Sequence, residues 1–329
     1  MIDTTLTRLW NIQYPLVQAP MAGIAGGALA GAVSSAGGLG MIGVGSTTPV
    51  EWIAAQAEQT RPHGPFGVGL MVWALEQRPD LLGAAIAARP AVIALSFGDP
   101  APYVPRAHAA GVQVANLVQD AARARQAVAA GVDVLVAQGT EAGGHTGAVG
   151  TLPLLQLVLP IGEAAGLPVL AAGGIASGRG IAGVLAMGAA GAWIGTRFVA
   201  TVEAMGSEAA KRAILAADET QTIHTHVFDL VQRIPWPEPF PGRALRNAFA
   251  ERWHGREQAL QEQLDRVQPA FEAARARGDY AEANIYAGQA SGLVDDLPQA
   301  GDLVQRLMAE AEAMLAATPH PHPLPSPSP

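Results

Sequence analysis

Short apolar runs alternate with alanine-rich stretches through the first two-thirds of the chain, and this alternation predicts a strand-then-helix repeat. The apolar runs fall at 16–21, 41–45, 66–72, 91–97, 112–118, 132–138, 168–172 and 191–198. Between them, helical spacing of apolar positions marks 49–61, 78–88, 120–130 and 178–187, each closed by Gly, Pro or a short polar turn. Strands buried on both faces read as continuous apolar runs rather than as alternating ones. Eight such units therefore predict an α/β fold, a TIM-type (β/α)8 barrel of parallel strands wrapped by helices. An open doubly wound sheet meets the same pattern, because periodicity does not report closure.

After Val199 the pattern changes. The segment HTHVFDLVQRIPWPEPFPGR carries four prolines, and 244–277 turns charged and helical, rich in Glu, Gln and Arg. The expected organisation is a barrel over 1–203, a helical lid or small second domain over 204–290, and a helix returning to the barrel over 291–317. A Pro-rich tail, TPHPHPLPSPSP, follows over 318–329 and is expected to be extended or disordered.

Composition narrows the chemistry. Of 329 residues half are hydrophobic and 15% charged, with a net charge of −8 and no basic run that could follow a phosphate backbone, so nucleic acid is not the expected partner. With no cysteine there is no disulfide, thiolate nucleophile or zinc–thiolate centre. The one lysine, Lys211, follows the eighth strand-like run, which removes a Schiff-base lysine inside the barrel. Residues 11–50 carry no charge, yet Pro15, Pro20 and many glycines break the stretch, and its apolar run from 20 to 33 is short of the roughly 20 residues a membrane span needs. The opening MIDTTLTRLW lacks the basic start and long apolar run of a secretory signal, so a cytoplasmic location is expected.

Candidate chemistry concentrates at three strand tips. VAQGTEAGGHTG (136–147) is an apolar strand ending in a glycine-rich turn that presents His145. Glycine lets backbone approach a ligand closely and tolerates positive φ. PVLAAGGIASGRG (168–180) and GAWIGTRF (191–198) add Gly173, Gly174, Gly195 and Thr196. Barrels of this kind keep their chemistry at the C-terminal ends of the strands and often bind phosphate after strands seven and eight. A phosphate-bearing cofactor facing His145 fits this layout; tight turns alone are the plainer account of the same glycines. His224 and His226 alternate along an extended segment, but no third ligand is near in sequence, so no metal is expected. Trp73, Phe97 and Tyr103 follow strands three and four, as an apolar substrate wall or as core.

QAPMAG (18–23), PFGVGLMV (65–72), VAQGTEAGGHTG, AAGGIASGRG (171–180) and MGAAGAWIGTRF (187–198), in this order, resemble the FMN-dependent nitronate monooxygenases, also called 2-nitropropane dioxygenases. The resemblance is close over 14–203, and NIYAGQASGLV (284–294) is similar to the family's late segment. Flavin-barrel relatives, the enoyl-carrier-protein reductases and NADH:quinone reductases, share the glycine loops and histidine, so the motifs define the cofactor better than the substrate.

The resemblance implies FMN as cofactor. Ala19, Pro20, Met21 and Ala22 then line the isoalloxazine ring, with the Met21 backbone near its polar edge. Gln138, Gly143 and Gly144 contact the ribityl chain and ring, while Gly173, Gly174, Gly195 and Thr196 hold the phosphate. Gly69 departs from the pattern: the family commonly has Asn there, so a side-chain amide to the flavin is missing. The implied reaction oxidises an alkyl nitronate, or a nitroalkane, with O2 to a carbonyl compound and nitrite, with His145 binding the nitronate oxygens or removing the α-proton as general base. The negative charge of a reduced flavin calls for backbone N–H groups or Arg197, a residue that a structural carboxylate would equally claim. The alternative reading is an NAD(P)H-dependent FMN reductase of quinones or enoyl thioesters, and a noncatalytic flavin-binding protein stands third.

Overall fold

The computed structural model describes residues 2–317, and the stretch 318–329, expected to be extended, lies outside them. Eight parallel strands, β1 (Leu16–Gln18), β2 (Gly40–Gly43), β3 (Phe66–Met71), β4 (Val92–Ser96), β5 (Gln113–Val118), β6 (Val134–Gln138), β7 (Val169–Ala172) and β8 (Gly191–Ile194), pair in the order β1-β8-β7-β6-β5-β4-β3-β2. The ends of that order meet. Val17 bridges Leu39 in parallel, Gln18 N donates to Leu39 O at 3.0 Å, and Gln18 Oε1 accepts from Met41 N at 3.0 Å. The sheet is therefore a closed barrel and not the open doubly wound alternative.

Two apolar layers explain why both faces of each strand are hydrophobic. Val17, Met41, Val92, Ala115, Val134 and Leu170 point inward and pack with Leu6 and Trp10 of the helix Thr5–Trp10, which plugs one end of the barrel. Their sequence neighbours Leu16, Ile42, Ile93, Val114, Leu135 and Ala171 belong to the layer beneath the outer helices. Side chains alternate between faces with period 2, and each fully buried aliphatic contributes about 1.5–3 kcal/mol.

The expected helices are present as Val50–Thr60, Asp80–Ala87, Ala121–Ala129 and Gly178–Ala186. Caps fix two of their starts: Asp120 accepts from Arg123 N at 2.8 Å and Ser177 from Gly180 N at 3.2 Å. Every strand is shorter than its apolar run, and the first and eighth are half as long. The first stops at Gln18 because Met21 O turns the chain by accepting from Ile24 N and Ala25 N, and the eighth stops at Ile194, where Gly195 starts a short helix, Thr196–Val199.

The final helix, Ala300–Ala317, packs against Gly178–Ala186 and Gly27–Ser35, the helices that precede β8 and follow β1. It thus takes the eighth outer position of the ring, and residues 200–299 leave the barrel at the β8 tip before returning. Contact is close: a Cβ on Gly178 would lie 2.4 Å from Leu307 O. The excursion has its own core, including Phe228, Phe249, Trp253 and Phe271, and contains strands that the sequence pattern does not predict. Thr222–Thr225, Gly242–Leu245 and the two-residue strand Gly144–His145 form a small antiparallel sheet. Within the segment expected to be wholly helical, Gly242–Leu245 runs into Ala244 and Leu245 before the helices Ala248–Trp253, Glu257–Glu262 and Leu264–Ala276 begin. No helix among the described residues is long and apolar enough to cross a membrane.

Candidate active site

His145 is held by long-range pairing. The chain leaves β6 at Gln138, passes the glycine turn and pairs Gly144 with Arg243 and His145 with Gly242. A Cβ on Gly242 would lie 3.2 Å from His145 Nε2, so glycine there leaves room for the imidazole. Gln138, buried, steadies the turn: its Nε2 donates to His145 O at 3.2 Å and its Oε1 accepts from Gln119 Nε2 at 2.8 Å.

The imidazole is enclosed by residues from the excursion. His145 Nε2 lies 2.9 and 3.0 Å from the two carboxylate oxygens of Asp229, in the first turn of the helix Val227–Gln232, and both side chains are about 5% exposed. Tyr286 donates its hydroxyl to Asp229 Oδ1 at 3.3 Å. The indole of Trp236 stacks on the imidazole, centroids 3.3 Å apart and planes 13° apart. Trp73 and Phe97 each meet Trp236 edge-on at 5.2 Å, and Phe240 packs on Phe97. Phe97 has φ +58°, a left-handed conformation that costs a non-glycine residue on the order of 1 kcal/mol or more. The packing of these rings holds it there.

Electrostatics follows from burial. Desolvation pushes the His145 pKa below 6.5, and the hydrogen bond and charge of Asp229 oppose it without reversing it. Burial, followed by the charge of Asp229, raises Tyr286 well above 10, so it remains a phenol and a donor. Behind this cluster His224, bonded to Thr146 Oγ1 at 3.0 Å, is pushed down to about 4 by burial and by the Arg243 guanidinium.

The glycine tips meet on the same side of the barrel. Ala19, Pro20 and Met21 are half-buried and Ala22 is exposed, at the turn after β1, where Ala19 N donates to Ile194 O at 2.8 Å. Met21 Sδ is 3.7 Å from where a Cβ of Gly195 would sit. Gly173 and Gly174 adopt φ of +103° and +72°, and Thr151 ties Gly173 to the β6 loop, its hydroxyl facing Gly173 O at 3.1 Å and its N–H donating to the Glu141 carboxylate at 2.8 Å. The late segment completes the join: Gly288 N donates to Thr196 Oγ1 at 2.9 Å, and a Cβ on Gly143 would fall 2.7 Å from that same nitrogen. Gly143, Gly173, Gly174, Gly195 and Thr196 are thus assembled by Thr151 and Gly288.

The remaining candidates differ in what surrounds them. Gly69 has no room for a side chain, since a Cβ there would lie 2.3 Å from Cβ and Cγ of Pro20. Arg197 is buried against Asp296 and donates to Ala200 O and Asp296 O, the structural-carboxylate alternative. Tyr103 packs in the layer under the helices and forms no part of the aromatic wall with Trp73 and Phe97. His224 bonds Thr146 while His226 faces Glu238 at 3.4 Å, so the two diverge. Sequence reasoning missed Asp229, Trp236 and Phe240 altogether. Tyr286 and Gly288 stand inside the quoted NIYAGQASGLV segment, which was the available signal for them.

A closed (β/α)8 barrel with a histidine and clustered glycines at its strand tips, in a chain of this family, is an oxidoreductase. The nitronate monooxygenase family model matches residues 3–86 and 82–310, and the chain belongs to that family. It is 33% identical, over 94% of its length and 96% of the relative's, to a (3aS,4S,5R,7aS)-5-hydroxy-7a-methyl-1-oxo-octahydro-1H-indene-4-carboxyl-CoA dehydrogenase of Mycobacterium tuberculosis. It is 30% identical, over 93% and 94%, to a nitronate monooxygenase of Paraburkholderia phytofirmans. Among solved structures it resembles FabK from Thermotoga maritima, with a TM-score of 0.82 and 30% identity over 96% of this chain and 98% of that one.

Proposed function

We propose that this oxidoreductase is an FMN-dependent nitronate monooxygenase that converts alkyl nitronates, and nitroalkanes after proton removal, to carbonyl compound and nitrite with O2. The observation that carries the reading is the buried His145–Asp229 pair beside the assembled glycine tips. Family membership supports the same chemistry.

The residues present fit a flavin mononucleotide. The half-open glycine tips leave backbone approachable, and Gln119 Oε1, next to Gln138, is a buried acceptor without a partner among the described residues. Ala19, Pro20, Met21 and Ala22 would line the ring; Gln138, Gly143 and Gly144 the ribityl chain; Gly173, Gly174, Gly195 and Thr196 the phosphate. Gly69 would sit behind Pro20 and offer no side chain. Bound FMN supplies electron transfer between substrate and O2. The protein's own part is binding, orientation and proton handling. His145 binds the nitronate oxygens or takes the α-proton, and Trp73, Phe97 and Trp236 keep water from it. Arg197 is committed to Asp296, so Arg243, opposite Gly144 and hydrogen-bonded to Thr140 O at 2.7 Å, is the buried cation adjoining this loop.

Acid release and chromatography should yield FMN and no FAD. His145→Ala should keep FMN and lose about 10²- to 10⁴-fold in turnover, more on neutral nitroalkanes than on preformed nitronates. Full turnover in that variant would sink the role given to His145. The CoA-ester dehydrogenase relative favours a second reading, NAD(P)H-dependent reduction of quinones or enoyl thioesters. Rapid anaerobic bleaching by NADH, with none by propyl nitronate, would choose it.

A further inference from the structure

His145 has two ring nitrogens, and the protein engages one of them. Nε2 faces both oxygens of Asp229, whereas Nδ1 makes no hydrogen bond among the described residues. A carboxylate accepts and does not donate, and a neutral imidazole carries one N–H and one lone pair. Tyr286 approaches Asp229 Oδ1 as a second donor, which leaves the carboxylate an acceptor toward both neighbours. Stacked Trp236 covers a face of the imidazole, and Gly242 closes on the Nε2 side.

We infer that Asp229 is a positioning residue that fixes His145 as the Nε2–H tautomer, so that Nδ1 is the atom that meets the substrate. The inference builds on the proposed reading of His145 as the proton-handling group. With a nitroalkane, the α C–H bond breaks and its electron pair stays on the substrate as the nitronate. The proton forms a bond to Nδ1, and the resulting imidazolium keeps its Nε2–H on Asp229. With a preformed nitronate no proton moves, and the tautomer matters less. Among the described residues the Asp229 carboxylate hydrogen-bonds the histidine and Tyr286 alone, so it acts through the orientation and protonation of His145.

The test uses the flavin-loaded protein labelled with 15N-histidine, with His145→Ala identifying the resonances of this residue among the eight histidines. Long-range 1H–15N correlation at pH 8 should show Nε2 protonated and Nδ1 bare. In Asp229→Asn the amide oxygen can accept from Tyr286 and the NH2 then faces Nε2, so the proton should move to Nδ1. Turnover of a neutral nitroalkane should fall about 10²- to 10⁴-fold in that variant, with less than about tenfold loss on the preformed nitronate. Asp229→Ala should relax toward the tautomer mixture of a free imidazole, in which Nε2–H still leads, without acquiring the reverse preference. A wild-type His145 protonated at Nδ1, or an Asp229→Asn spectrum with the proton still at Nε2, overturns the inference. A wild-type proton at Nδ1 overturns the inference even if neither variant folds. If the wild type oxidises neither nitroalkane nor nitronate, the functional reading fails while the spectrum still settles the tautomer.

Discussion

At Gly69 the side chain that the family resemblance would place is excluded by Pro20, whose ring occupies the position of a Cβ at 2.3 Å. Gly69→Ala should therefore destabilise by about 1–3 kcal/mol, and Pro20→Gly in the same chain should recover part of that loss. Denaturant midpoints of the two single variants and the double variant read this coupling, and strictly additive losses would refute the contact. His224 gives a pH dependence. Its folded pKa of about 4 lies below the ordinary 6.5, so the unfolded chain binds more protons between those values. Stability is complete above pH 6.5 and falls as pH drops toward 4, by on the order of 2 kcal/mol after allowance for partial exposure. His145, also lowered, works in the same direction. Urea unfolding at pH 7.5 and 5 should show a smaller difference for His224→Gln than for wild type, and an equal difference would contradict the assignment. His145 was legible from sequence because its glycines flank it directly. Asp229 was not, because it stands 84 residues further on in a segment whose local pattern reports only a helix and prolines.

Elements differ in how plainly sequence announces them. Barrel strands and outer helices repeat apolar positions over several residues, so their periods are visible, and all eight strands fall where the runs predict. The strand Gly144–His145 has two residues and no period to read, and its partners lie beyond β8. A return of the last helix to the barrel follows from its amphipathic spacing, while its seat in the ring is a tertiary fact. That helix buries Leu303, Val304, Leu307 and Met308 against its neighbours. Leu303→Ala, at a fully buried position, should cost about 2–5 kcal/mol. Thermal unfolding should show the loss while the nitroalkane-to-nitronate rate ratio stays unchanged; a changed ratio would tie this helix to the chemistry.

The whole molecule divides its labour between a ring and an excursion that folds back over the mouth. The ring presents the glycine tips, and the excursion brings Asp229, Trp236 and Tyr286 to a histidine that belongs to the ring. Neither part alone contains the pair. The hydrogen bond from Gly288 to Thr196 carries a consequence for biogenesis. A ribosome releases the chain from its N-terminus, so all eight strands emerge before residue 288 exists outside the exit tunnel. During that interval the mouth lacks its final fastening.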